Sequence, residues 1–184
     1  YTLPYTMLFR FGWTGVLAAM ISIFLVFGSV LLHELGHCLA ARHYGIPVPR
    51  ILLLPIGGMA EMARIPRDPR AELVITAAGP AVNFALGGLL YLAVGAPEHT
   101  WYFSVFSTDP VKLAQMLMAW NVVMGLFNLL PVFPMDGGRI FRALLALRLR
   151  YLDATRIAVY TAKVLVVVGI ALAILTLNNY LLAA

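Results

Sequence analysis

Residues 14–37 read TGVLAAMISIFLVFGSVLLHELGH, and the two halves of this stretch point in opposite directions. Residues 14–32 carry no charged side chain, and residues 33–37 set two imidazoles and a carboxylate directly behind them. An uncharged helix of that length spans roughly 28 Å, close to the roughly 30 Å of hydrocarbon in a bilayer. Residues 14–32 are therefore read as a membrane span, and the fold as a bundle of such helices, because lipid offers no partners to open backbone groups.

On that helix His33 and His37 lie roughly 40° apart, one turn above the other. Two imidazole nitrogens so placed can grip one metal ion. Glu34 falls between them and the next face, where it can reach a water on the ion without ligating it. The bland alternative is the solvated polar face of an ordinary helix. Against it stands the cost of ionisable side chains beside a membrane span, about 2.5–3.5 kcal/mol each on insertion scales, which calls for a compensating function.

Composition agrees with the span. Of 184 residues 62% are hydrophobic and 11% charged, where a soluble domain carries about 25% charged residues. The formal charge of +5 does not indicate nucleic acid, because the arginines are spread over short loops between apolar runs. The single cysteine, Cys38, excludes an internal disulfide and points away from His37, so it reads as a packed thiol.

Outward from the motif, residues 1–13 read as a juxtamembrane segment, with Tyr1, Tyr5, Phe9 and Trp13 at the headgroup boundary. The first helix is expected over Thr14–His43. In the loop 44–72, two short apolar runs flank Gly57-Gly58, which fits either a β-hairpin or a plain interfacial loop. A second span is expected over Leu73–Val94, bent at Pro80. Its Gly79, Asn83 and Gly87 recur every four residues, as a packing seam or as a face turned to the metal helix.

The loop 95–111 carries Glu98, His99 and Asp109. A third span over Val111–Leu130 sets Asn121, Gly125 and Asn128 on one face before Pro131 and Pro134 break it. The last span is expected over Ile157–Leu177, and its Lys163 can snorkel or pair inside the bundle. Arginines follow the first and third spans, so by the positive-inside rule that side is cytoplasmic and the metal belongs to that half of the membrane.

A catalytic zinc ion takes three protein ligands and keeps a fourth place open. Asp136 follows the proline-broken helix end on the side of His33 and His37, whereas Glu98, His99 and Asp109 lie on the other side. Glu61, Asp68, Glu72 and Asp153 sit among arginines and read as solvated or paired loop charges. Asp136 is the expected third ligand.

With these elements in place, the chain resembles the site-2 protease family of intramembrane metalloproteases, in its prokaryotic branch. The resemblance is carried by His33-Glu34-Leu35-Gly36-His37, by Gly79-Pro80-Ala81-Val82-Asn83, and by Asn128-Leu129-Leu130-Pro131 running on to Pro134-Met135-Asp136-Gly137. The run Leu53 to Gly58 adds to it. It covers most of residues 20–160. It implies one Zn²⁺ held by His33, His37 and Asp136, with Glu34 activating water for hydrolysis of a transmembrane protein substrate in the lipid bilayer. Such a substrate would be a membrane-anchored regulator of the anti-sigma or sporulation-precursor kind.

The expected fold is an α-helical integral membrane protein of a prokaryotic cell membrane. About four transmembrane helices surround a three-helix catalytic core, with a small β-hairpin at the cytoplasmic side. Residues 1–184 are expected to form a single membrane-embedded domain, without the further N-terminal span and C-terminal regulatory domain common in that branch. Asn83 and Asn128 read either as donors to the substrate backbone or as ties between helices. Gly57, Gly58, Met59 and Ala60 are expected to lend a strand edge to the substrate, whose scissile peptide must be extended. A metal transporter or an inactive scaffold are the competing classes. The first would need a polar route through both leaflets, and Val16 to Val26 offers little beyond Ser22; the second would be expected to lack Glu34.

Overall fold

The computed structural model describes the backbone of residues 4–54, 57–61, 66, 68–96 and 107–182, and the side chains of 12–50, 66, 68–96 and 107–176. Glu98, His99, Arg64 and Arg67 lie outside the described residues. Of Gly57, Gly58, Met59 and Ala60 only the backbone is described.

The elements run α1 (Pro4–His43), β1 (Arg50–Leu54), β2 (Gly57–Glu61), α2 (Pro69–Val94), α3 (Pro110–Asn128), α4 (Asp136–Ala146) and α5 (Tyr151–Leu182). Among the described residues four helical segments are long and apolar enough to cross a membrane: Gly12–His43, Pro69–Val94, Pro110–Asn128 and Tyr151–Thr176. Burial is inverted relative to a water-soluble protein. Large apolar side chains such as Phe24 (72% exposed) and Leu92 (82%) face outward, while Ser22, Ser29, Thr76, Asn83 and Asn121 are buried. Apolar surface on this scale needs lipid as its solvent, and the protein is an integral membrane protein.

Helix ends follow from local chemistry. At the end of α1, Gly45 takes φ +67°, its N–H donates to the Arg42 carbonyl, and Ile46 N–H reaches back to Ala41. This paired cap favours glycine at the left-handed position. Asp68 caps α2 by accepting from the N–H groups of Arg70 and Ala71. Asp109 caps α3 through Val111 N–H. In both helices the next residue is a proline, which has no N–H to orphan.

Two expectations are corrected. The segment before Thr14 is helical from Pro4, and the helix is interrupted at Gly12, whose φ of 57° and ψ of −158° are not helical. The arginine-bearing residues 139–156 hold most of α4 and the start of α5. Glu72 is not a loop charge: α2 begins at Pro69, and Glu72 is buried within it.

The chain divides into two compact units, residues 1–64 with 78–126, and residues 65–77 with 127–184. In the first, β1 and β2 pair antiparallel with Leu52 opposite Met59 and Leu54 opposite Gly57, and β2 lies against α1. There α1 and α2 approach closely at Gly36, where a side-chain carbon would come 2.8 Å from the Ala78 carbonyl oxygen. In the second unit, α4 packs on α5. Small buried residues, Ala143 on α4 and Ala154, Ala158 and Ala162 on α5, suit a close approach.

Candidate metal centre

The site starts from the spacing of two histidines on one helix. His33 and His37 are both 4% exposed, and their Nε2 atoms stand 3.1 Å apart, with the rings edge to face at 87°. Two nitrogens bound to a tetrahedral ion at about 2.0–2.1 Å would be separated by about 3.3–3.4 Å. The histidine pair is therefore already close to the geometry of two ligands sharing an ion.

The orientation of His33 has an identifiable cause. Its Nδ1 lies 2.5 Å from Asn83 Oδ1, and a carboxamide oxygen can only accept. Nδ1 carries the proton, and the lone pair sits on Nε2, on the side of His37. Asn83 is held in turn: its Nδ2 donates to Asn121 Oδ1 at 3.0 Å. Asn121 Nδ2 donates to Ser29 Oγ at 3.0 Å and to the Leu117 carbonyl at 2.8 Å. This chain of amides runs from α2 through α3 back to α1, so the first ring of the motif is set by three helices.

Both atoms of the Asn83 carboxamide are committed, and the residue is 0% exposed. The structure thus brings Asn83 to His33 as its orienting partner. Asn121, which the sequence marks only as part of a polar face, joins the same network. The signal for it was its seven-residue spacing from Asn128 on a span otherwise almost free of polar side chains. Asn128 ends α3 in the second unit and is half-buried.

Gly79 makes the space that the imidazoles occupy. A Cβ at this position would overlap His37 Nε2 and would come 2.8 Å from His33 Cε1. The stripe Gly79, Asn83, Gly87 divides its work: the first two face the histidines, and Gly87 receives Val122 of α3. Gly79→Ala is expected to push both rings apart and to abolish metal retention in the purified protein, measured as metal per chain, while the helical circular dichroism signal stays. Gly88→Ala, where a Cβ meets nothing within 4 Å among the described residues, is the control that leaves retention unchanged.

Glu34 and Cys38 are buried on the same helix. In the second unit Asp136 is the first residue of α4 and is 8% exposed. A carboxylate there is favoured by the helix dipole. The turn before it is tight: a Cβ at Gly137 would overlap the Leu129 carbonyl, and one at Gly138 would come 3.0 Å from Phe133 N. These two glycines let the helix carrying Asp136 start directly against the 129–133 backbone.

Comparison with known proteins gives consistent relatives. Residues 21–173 match the family model described as peptidase family M50. The chain is 41% identical over 158 residues to a zinc metalloprotease, MJ0392, of Methanocaldococcus jannaschii, covering 86% of this chain and 44% of that protein. It is 34% identical over 156 residues to a putative zinc metalloprotease, Rip3, of Mycobacterium tuberculosis, covering 85% of this chain and 38% of that protein. The chain thus spans less than half the length of either. Among solved structures, the site-2 protease from Methanocaldococcus jannaschii aligns with a TM-score of 0.62 at 37% identity, over 90% of this chain and 79% of that one.

Proposed function

Because the chain belongs to peptidase family M50, we propose that it is the membrane-embedded catalytic part of a zinc metalloprotease that cleaves peptide bonds within or beside the transmembrane segment of a membrane-anchored substrate. The observation that carries this reading is the buried His33–His37 pair, with its ligand nitrogens 3.1 Å apart and one ring oriented by Asn83. His33, His37 and Asp136 would hold one zinc ion, which supplies Lewis-acid polarisation of the scissile carbonyl and makes a water acidic enough to attack at neutral pH.

The chain's own residues do the rest. Glu34 accepts a proton from the attacking water on its carboxylate and later delivers it to the departing amine nitrogen. Asn83 keeps the lone pair of His33 directed at the metal position. Asn128 lies eight residues before Asp136 and serves as a donor to the substrate backbone, which must leave its helical hydrogen bonds to expose a carbonyl. Purified chain co-reconstituted in liposomes with a panel of single-span proteins should cut at least one of them within or beside its span. If none is cut while zinc remains bound, the proteolytic reading is wrong.

The finer reading concerns orientation and the two strands. By the positive-inside rule, the arginine-rich loops and the strands lie on the cytoplasmic side and the metal in that half of the membrane. An extended substrate strand in lipid leaves backbone groups that cost several kcal/mol apiece if unpaired. β2, which lies against α1, supplies Gly57, Gly58, Met59 and Ala60 as an edge for it. In a Cys38→Ala background, Met59→Cys and Ala60→Cys should crosslink to residues flanking the scissile bond, and Arg64→Cys should label from the cytoplasm. Crosslinks confined to the loop 95–111, or labelling of position 64 only from outside, would overturn this placement.

A further inference from the structure

In the second unit a buried charge pair ties together the segments around Asp136. Arg142 of α4 donates through Nη2 to Glu72 Oε1 near the start of α2. The Glu72 side chain is fully buried and that of Arg142 is 10% exposed. The guanidinium also lies against two aromatic rings. Phe133, in the turn leading to Asp136, has its centroid at 5.8 Å, and Tyr151, the first residue of α5, at 5.2 Å. One side chain thus meets α2, the 129–135 turn and α5 while belonging to α4.

Fold stability alone is a poor reason for such a pair. A buried ion pair loses its hydration on both partners, and apolar side chains of similar volume usually serve a core equally well or better. Among the described residues the desolvation is not fully compensated: Glu72 Oε2, Arg142 Nε and the nearby Thr76 Oγ1 find no hydrogen-bond partner there. What a charged, planar contact does supply is direction. A helix held only by apolar contacts can rotate about its axis by small amounts at little cost. One pinned through a guanidinium between a carboxylate and two rings cannot.

We propose that the Glu72–Arg142 pair is a positioning latch for Asp136, fixing the axial rotation of α4 and so the direction of the carboxylate at its first residue. Arg142 lies six residues beyond Asp136, about 9 Å along the helix and about 120° round it. Rotation locked at one is locked at the other. At the N-terminal end, Gly137 and Gly138 sit against the 129–133 backbone, so the short helix is held in its first turn and again at Arg142. The latch rests on the reading of Asp136 as a zinc ligand, and neither Glu72 nor Arg142 touches metal or substrate in it.

The test compares wild type, Asp136→Ala, Arg142→Lys and the double variant Glu72→Leu/Arg142→Met, which removes both charges together. Three quantities are measured on each: the unfolding midpoint of the metal-free protein, the zinc dissociation constant by competition with a chromophoric chelator, and the visible spectrum after cobalt substitution. The latch predicts that the double variant unfolds near the wild-type temperature yet binds zinc about 10–100-fold more weakly, as loss of an outer-shell support does, with a shifted cobalt spectrum. Should the double variant fail to fold, Arg142→Lys decides on the same readouts: weakened zinc binding and a shifted spectrum support the latch. Unchanged zinc affinity and cobalt spectrum in a folded variant overturn it. Asp136→Ala separates the two readings. If it binds zinc like wild type, the ligand assignment falls and the latch with it; if it loses zinc while the pair variants do not, the latch alone falls.

Discussion

Glu34→Gln is expected to retain zinc at the wild-type level and to lose cleavage by about 10²–10⁴-fold, the range contributed by a positioned general base. The substitution keeps the size and hydrogen-bonding shape of the side chain but removes its ability to accept and return a proton. Glu34 is buried on α1 one residue from His33, so an isosteric amide disturbs neither ring. Metal per chain and turnover of a single-span substrate, measured on one preparation, decide the matter. Full turnover would mean that another group moves the proton, and lost metal would mean that Glu34 helps to hold the ion.

The second large effect is on the metal itself. Asp136→Ala should weaken zinc binding by more than the roughly 10–100-fold typical of outer-shell partners, because it removes a ligand rather than its support. Asp109→Ala and Asp153→Ala are the matched controls. Asp109 caps α3 through Val111 N–H, so its loss costs about 1 kcal/mol of stability and no zinc affinity. Asp153 lies in the first turn of α5, where a carboxylate favours the helix dipole. Equal zinc affinity across all three variants would place the third ligand elsewhere.

The membrane fold and the centre of the site were legible in the sequence because lipid leaves few alternatives. An uncharged run of spanning length ending in His-Glu-x-x-His has to be a helix, and a helix puts His33 beside His37. Asn83 stood out as a polar side chain in the middle of a small-residue stripe. Whether it served substrate, packing or metal was open, since only the tertiary fold shows both of its amide atoms engaged by His33 and Asn121. Gly79 belongs to a stripe that reads as a packing seam or as a face turned to the metal helix, and sequence does not reveal that its missing Cβ leaves room for imidazoles.

Glu72 and Arg142 were illegible for a related reason. Each sits among other charges, seventy residues apart, so the sequence reads Glu72 as a solvated or paired loop charge and does not single out Arg142 as its partner. The sequence does not mark α4, because its eleven residues are fewer than a span needs and its arginines resemble a cytoplasmic loop. It also points to Thr14 as the start of α1, because the aromatic-rich residues 1–13 suggest an interfacial segment where a break at Gly12 in fact separates two helical pieces.

Zinc content and cleavage followed together in one sample test the central claim most directly. The account predicts close to one zinc per chain in the purified protein. A strong chelator should remove it and stop cleavage of a co-reconstituted single-span substrate, stoichiometric zinc should restore cleavage, and a His33→Ala/His37→Ala variant should neither bind zinc nor recover. Cleavage that continues unchanged after the metal is gone would contradict it.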